Sequence, residues 1–218
     1  MKKIFAWVVI LIPLCVLSQK SDKKHKSSLG IGLKAGLNFA DITNASSINS
    51  KSQTGYHAGV FLDIGSKLFG SRMELLYSRQ GYDYSYGSSS GSVKHDYIAM
   101  AQLLAINITR FVQVQVGMQL GYLLNAKIDS AQTTGNASVD NLLSYYNRFE
   151  YALAGGLEIH PIAGLLIGAR YTASLSDLYK QPSSVSPQGT GYYQSITSGS
   201  GGVNFKNNII QIFIGYRF

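Results

Sequence analysis

Along most of this chain, apolar and polar positions alternate strictly. In residues 29–39 every odd position is apolar, while the even positions hold glycine, lysine or asparagine. The alternation is cleanest in residues 112–122, where Val112, Val114 and Val116 are separated by glutamines. A period of two is typical of a β-strand with one face against an apolar phase. The pattern therefore predicts strands, and no segment shows the period of an amphipathic helix.

The same period marks eight segments, which cover residues 29–39, 55–64, 72–84, 94–108, 112–124, 148–160, 165–174 and 210–218. The fourth is ambiguous, because Leu103 lies opposite Ile98 and Met100. The connections alternate in length, with long ones at about residues 41–54, 85–93, 125–147 and 176–207 and short ones at 65–70, 109–110 and 161–164. Long loops on one rim and tight turns on the other are typical of a transmembrane barrel in an outer membrane.

The length and number of the segments favour the same fold. Strands of about 10 to 14 residues are longer than those of an average soluble sheet and match what a tilted strand needs to cross a bilayer. An open sheet edge would leave unpaired backbone groups in hydrocarbon, at several kcal/mol each. We therefore predict an all-β fold, an eight-stranded antiparallel up-and-down transmembrane β-barrel. Its apolar face meets lipid, and its glycine, glutamine and charged face points inward.

Seven charged side chains are expected in the lumen of this barrel. Eight strands leave an interior just wide enough to be filled by side chains. An unpaired charge there is costly, so three carboxylates among four bases predict crossed ion pairs that plug the lumen. The alternative is a narrow, low-conductance channel for small solutes. The seven residues are Lys34, Arg72, Glu74, Glu150, Glu158, Arg170 and Arg217.

Aromatic residues concentrate near the ends of the predicted strands. We expect them to form two girdles at the headgroup levels of the membrane, where aromatic rings of such barrels gather. For any single tyrosine the alternative is the general preference of this residue for strands. The long-loop set is Tyr56, Tyr82, Tyr97, Tyr122 and Tyr171, and the short-turn set is Phe111, Tyr216 and Phe218.

The N-terminal residues belong to a different class of sequence. Residues 4–17 are an apolar run behind a short basic start, which predicts a signal peptide over residues 1–18. Residues 19–28 then form a basic tail. The barrel domain is predicted to cover residues 29–218.

Charge and cysteine content exclude several classes of partner and site. Lys2 and Lys3 lie in the predicted signal peptide, so the formal net charge falls from +8 to +6, and half of that excess lies in residues 20–26. The barrel itself has no basic stripe, so nucleic acid is not an expected partner. The single cysteine, Cys15, also lies in the signal peptide, so we expect no disulfide and no thiolate site.

No pattern of reactive residues indicates catalysis. His57, His95 and His160 have no partner at a spacing typical of metal ligands. Serine is plentiful, but no Gly-x-Ser-x-Gly elbow lies between a strand and a helix. We therefore expect no enzyme, and no catalytic residue, cofactor or metal. The long loops are rich in tyrosine, serine and glycine, which suits binding of an unidentified surface ligand. The same composition equally suits solvated, mobile loops.

Several motifs resemble a known family. The segments at residues 32–39, 74–81, 97–104, 116–124 and 214–218 are similar to the outer-membrane β-barrel family common in Bacteroidetes, often labelled porin-family proteins. This resemblance implies the barrel fold and a place in the cell outer membrane, surrounded by its lipid, and supplies no catalytic residues. We expect the barrel to be a monomer. Phe218 resembles the C-terminal aromatic residue that the barrel assembly machinery recognises. Some members are accessory barrels of secretion or surface machinery, which is a further alternative for the function.

Overall fold

The computed structural model describes residues 28–43, 49–86, 89–130, 146–178 and 206–218. Within these ranges the chain forms eight strands, and no helix there is long and apolar enough to span a membrane. The strands are β1 (Ser28–Thr43), β2 (Asn49–Gly65), β3 (Phe69–Tyr86), β4 (Ser89–Asn107), β5 (Val112–Ser130), β6 (Phe149–Ile159), β7 (Leu165–Ser174) and β8 (Lys206–Arg217).

The strands close into a barrel in chain order, and β8 pairs back with β1. Every neighbouring pair is antiparallel. The closing ladder joins Gly32 to Arg217 at one end and Thr43 to Lys206 at the other. Closure gives each strand two neighbours, so backbone N–H and C=O groups can be satisfied without water. The predicted eight-stranded antiparallel barrel is confirmed.

Tight turns connect the strands at one end of the barrel, which we call the short-turn rim. In the β4–β5 turn, Thr109 Oγ1 accepts hydrogen bonds from the amides of Phe111 and Val112 at 3.1 and 3.0 Å. In the β6–β7 turn, Gly164 has φ of 81°, in the left-handed region where a side chain would be strained. The opposite end, where the longer connections begin, is the long-loop rim.

Five neighbouring strands, β1 to β5, are longer than the alternation predicts. β1 to β5 contain 16 to 19 residues, whereas β6 to β8 contain 10 to 12. Their ladders continue into stretches that were predicted as loops, so β3 ends at Tyr86 and β4 begins at Ser89. Beyond the bilayer both faces of a strand meet water, so the alternation disappears although backbone pairing continues. The pattern of side chains therefore underestimates the length of these strands.

The two faces of the wall differ as the alternation predicts. Outward apolar side chains such as Leu33, Val116 and Ile212 are 53%, 51% and 51% exposed on the protein surface. Several inward positions of β4 and β6 are alanine and fully buried, among them Ala101 and Ala154. Small residues on these strands leave room for the long side chains that enter the lumen from the others.

Candidate functional site in the barrel lumen

The centre of the lumen holds three charged side chains from strands that are not neighbours. Lys34 Nζ of β1 lies 3.1 Å from Glu74 Oε2 of β3. Arg170 of β7 donates from Nη1 and Nη2 to the two oxygens of the same carboxylate, at 2.7 and 2.8 Å. Arg170 also donates to Gln115 Oε1 at 2.9 Å. Because two buried cations share one carboxylate, both depend on Glu74 for their counter-charge.

A second charged cluster lies nearer the short-turn rim. Arg72 donates to Glu158 Oε2 from Nη1 and to Asp63 from Nε and Nη2, the last contact at 2.8 Å. Gln115 Nε2 donates to the same Glu158 oxygen at 3.1 Å and so links the two clusters. His160 Nε2 lies 3.0 Å from Glu158 Oε1 but does not reach hydrogen-bond geometry. The Arg72 guanidinium is thus held between two carboxylates.

Aromatic and aliphatic side chains fill the space between these charges. Phe61, Leu166 and Phe213 form a buried cluster. Lys34 Nζ lies 3.5 Å from the centroid of the Phe213 ring, and the Arg72 guanidinium carbon lies 4.5 Å from the centroid of the Phe61 ring. The ring faces attract these cations and cover them from water.

Neutral polar side chains occupy the next layer towards the long-loop rim. Asn38 Nδ2 donates to Ser78 Oγ at 2.9 Å, and Gln211 Nε2 donates to Asn38 Oδ1 at 3.1 Å. His57 Nδ1 lies 2.8 Å from the same Asn38 oxygen. Since an amide oxygen only accepts, His57 carries its donated proton on Nδ1. This layer connects four consecutive strands of the wall, β8, β1, β2 and β3.

Four aromatic rings close the described lumen near the long-loop rim. His95 packs edge to face on Tyr146 with ring centroids 4.6 Å apart, and the rings of Tyr82 and Tyr97 lie 6.0 and 6.2 Å from it. The hydroxyl oxygens of Tyr82 and Tyr146 are 3.3 Å apart. Tyr146 enters from the connection that precedes β6, so this closure combines strand and loop residues.

The lumen is therefore filled. Large side chains such as Arg72 and Arg170 are at most 2% exposed, and Phe61 and Tyr82 are 1% exposed. If a water-filled channel crossed the lumen, the side chains lining it would be exposed to water. Near-zero exposure in the successive layers means that no continuous water path crosses the described part of the barrel.

The structure brings together most of the predicted lumen charges. Glu150 is buried as expected, but it lies near the long-loop rim and has no positively charged partner among the described residues. Arg217 requires a correction. It continues the inward parity of β8, yet it is exposed at the short-turn rim, where the wall ends, and forms no ion pair with the described residues. Five of the seven lie in the two clusters: Lys34, Arg72, Glu74, Glu158 and Arg170.

The aromatic residues divide differently from the prediction. Tyr82 and Tyr97 are 1% exposed inside the barrel, so their assignment to a girdle was wrong. The physical reason is parity: Tyr82 shares a face with Arg72, and Tyr97 lies opposite the lipid-facing Ile98. The other predicted aromatics lie outward, with exposures of 38% to 75%: Tyr56, Tyr122, Tyr171, Phe111, Tyr216 and Phe218.

Sequence reasoning missed several participants. Asp63 was not among the predicted lumen charges, but it pairs with Arg72, its direct cross-strand neighbour. Gln115 was read only as part of the polar face and instead bridges both charged clusters. Phe149, 59% exposed, packs against Tyr122 at the long-loop level with ring centroids 5.2 Å apart. The register of β2 and β3 could have identified the pair formed by Asp63, because Asp63 and Arg72 flank the same short turn.

The chemistry available to this lumen is limited. The charges of the two clusters are paired and shielded, so a solute in bulk water does not reach them. Among the described residues, no group of three or more His, Cys, Asp and Glu side chains is placed to hold a metal ion. Three of these ion pairs, Lys34–Glu74, Arg170–Glu74 and Arg72–Glu158, hold the wall together by linking strands that are not hydrogen-bonded neighbours.

Comparison with protein families identifies the barrel. Residues 17–180 match the family described as outer membrane protein beta-barrel domain. The chain belongs to this family. Membership of this family places the protein in the outer membrane. A comparison with curated protein sequences gives no match.

Solved structures with the same fold include other outer-membrane proteins. Ail, the attachment invasion locus protein of Yersinia pestis, was crystallised with the heparin analogue sucrose octasulfate. It is 15% identical, with a TM-score of 0.50, over 87% of this chain and 99% of Ail. Neisserial surface protein A is 12% identical, with a TM-score of 0.50, over 88% of this chain and 99% of its own. At these identities the likeness shows the fold alone.

Proposed function

We propose that this protein is a non-conducting outer-membrane barrel with a structural or surface-interaction role, carried out through its long extracellular connections and without catalysis. The observation that carries this proposal is the filled lumen. Interlocked ion pairs at the centre and aromatic rings near the long-loop rim leave the barrel no described internal path. With the interior occupied by its own side chains, the parts left to meet other molecules are the outer wall and the connections.

The biogenesis of the barrel forms part of the same proposal. Residues 1–18 act as the signal peptide for export, and residues 19–28 form a basic tail ahead of the domain. Phe218 is exposed, packs on Tyr216 with ring centroids 5.4 Å apart, and donates its amide to the Ile31 carbonyl at 2.9 Å. An outward aromatic ring on the closing ladder supports recognition by the barrel assembly machinery. The folded protein works as a monomer.

Conductance measurements test the closed lumen directly. The purified barrel, inserted into a planar lipid bilayer, is expected to show no discrete steady conductance, because the central side chains admit no water-sized sphere. A matched recording uses a porin of known conductance to show that insertion works. Discrete openings of the wild-type protein that change when Arg72→Gln is introduced would show instead that the lumen is a narrow channel.

A further inference from the structure

Three positively charged side chains lie on the same side of the outer wall, near the long-loop rim. Lys94 of β4 is directly opposite Lys127 of β5 in the ladder between these strands, and both side chains are exposed. Arg148, also exposed, precedes β6, and its carbonyl accepts a hydrogen bond from the Leu123 amide of β5 at 2.8 Å. We call Lys94, Lys127 and Arg148 the basic wall patch. They are far apart in the sequence, and the strand register brings them together.

The two lysines of the patch are placed where their charges repel each other. Directly opposite residues of an antiparallel ladder have Cβ atoms about 4.5 to 5.5 Å apart, and like charges at this spacing are destabilising. Arg79 of the neighbouring β3 does not belong to the patch, because Asp96 accepts a hydrogen bond from its Nε at 2.7 Å and neutralises it. An anion bound between Lys94 and Lys127 would remove the repulsion within this pair.

The patch lies at the height of the lipid headgroups. Arg148 is at the level of the aromatic rings, because its guanidinium carbon lies 5.9 Å from the centroid of the Tyr122 ring. Lys94 lies four residues beyond Ile98, the partner of Tyr122. At 3.3 Å per residue this is about 13 Å along the tilted strand, or roughly 10 Å above the rings. A lysine stem reaches back by about 6 Å, which brings the ammonium group into a headgroup layer about 5 to 7 Å thick.

The face that carries the patch indicates the kind of anion. Lys94 has the outward parity of the lipid-facing Ile98, so the patch stands directly above the wall that contacts lipid. The longer connections of such a barrel face the outside, so this part of the wall meets the outer leaflet. Basic residues at a membrane surface attract anionic headgroups, and phosphate oxygens accept hydrogen bonds from both lysine and arginine. A lipid phosphate is already beside this wall, whereas a soluble polyanion would have to approach along the membrane surface.

We propose that the basic wall patch binds the phosphate groups of outer-leaflet lipid headgroups. Lys94 and Lys127 share one phosphate, and Arg148 binds the headgroup nearer the hydrocarbon. The bound lipid offsets the repulsion between the lysines and anchors the extensions of β4 and β5 beyond the bilayer to the membrane surface. This inference goes beyond the proposed function and does not depend on whether the lumen conducts.

Native mass spectrometry of the purified full barrel in neutral detergent micelles tests the site. The probe is lipid A with two phosphates, compared with the same lipid after removal of its phosphates. We expect saturable binding of the phosphorylated lipid, and binding about fivefold weaker in each of Lys94→Gln and Lys127→Gln, which is the usual contribution of one basic residue at an anionic membrane surface. Inorganic phosphate at the same concentration should not displace the lipid, because the acyl chains add their own contacts with the wall.

The matched control is Lys67→Gln, which removes an exposed lysine at the short-turn rim. Asn107 Nδ2 donates to the Lys67 carbonyl at 3.1 Å, a contact that the substitution keeps, so lipid affinity should stay unchanged. Folding is checked by heat-modifiable migration on gels, and if one patch variant does not fold, the other decides together with Arg148→Gln.

Four results would overturn the proposal. They are equal affinity for the phosphorylated and phosphate-free lipids, an equal loss of affinity in Lys67→Gln, displacement of the lipid by inorganic phosphate, and tighter binding of soluble dextran sulfate than of the lipid. The last result would assign the patch to a soluble polyanion.

Discussion

Replacing Glu74 with glutamine is expected to lower the free energy of unfolding by about 3 to 5 kcal/mol, the usual cost of removing one partner from a buried ion pair. Glutamine keeps the shape of the side chain but removes the negative charge. Lys34 and Arg170 are 0% exposed at their side chains and share this carboxylate, so both would keep a buried charge without its counter-ion. The effect is thus larger than that of an exposed pair, which contributes at most about 1 kcal/mol.

The measurement is a urea titration of the refolded barrel, followed by the fraction of heat-modifiable folded band. Gel migration is preferred because the single tryptophan, Trp7, lies in the predicted signal peptide and supplies no fluorescence signal for the barrel. The double variant Lys34→Met, Glu74→Gln removes one of the two orphaned cations and should recover part of the loss. A Glu74→Gln barrel as stable as wild type would show that the central cluster contributes no net stability.

Arginine at position 116 is expected to destabilise the barrel by about 2 to 4 kcal/mol, because Val116 lies outward near the middle of the span. Val116 is 51% exposed on the bare protein and is about equally far along β5 from Phe111 and Tyr122, which mark the two headgroup levels. At this depth the charged arginine side chain would lose its contact with bulk water. The same substitution at Ile108, exposed at the short-turn rim, should cost only about 0 to 1 kcal/mol.

The comparison of Val116→Arg with Ile108→Arg is made by urea titration in lipid vesicles, with Val116→Leu as the control for volume. Equal losses at the two positions would contradict the placement of residue 116 in the hydrocarbon. Repeating the titrations in detergent of shorter chain length should narrow the difference, since the apolar layer is then thinner.

The alternation of side chains predicts the fold well because one physical requirement repeats on every strand. Lipid outside and packed side chains inside impose a period of two wherever the wall crosses the bilayer. The same rule, applied strictly, places Tyr82 and Tyr97 in the lumen. Their assignment to a girdle was wrong because it followed their position near the strand ends and not the inward face on which the alternation places them.

The contacts inside the lumen are harder to predict. Lys34, Glu74 and Arg170 come from β1, β3 and β7, and whether such residues meet depends on the stagger of strands around the barrel. A side-chain pattern along one strand does not contain this stagger. The same holds for Tyr146, which closes the lumen from a connection without any strand period. It also holds for Arg217, the last residue of β8, whose side chain is exposed despite its inward parity.

We expect the ladder between β1 and β8 to form last when the barrel folds. Its partners, such as Gly32 and Arg217, are far apart in sequence, whereas every other ladder joins strands that follow each other. Local hairpins form first because their loop-closure entropy is small, and the most distant pairing is the slow one. Until β8 docks, two strand edges stay unpaired and open to other chains. Substitutions in β8 are therefore expected to slow barrel formation more than equally destabilising substitutions in the β3–β4 hairpin.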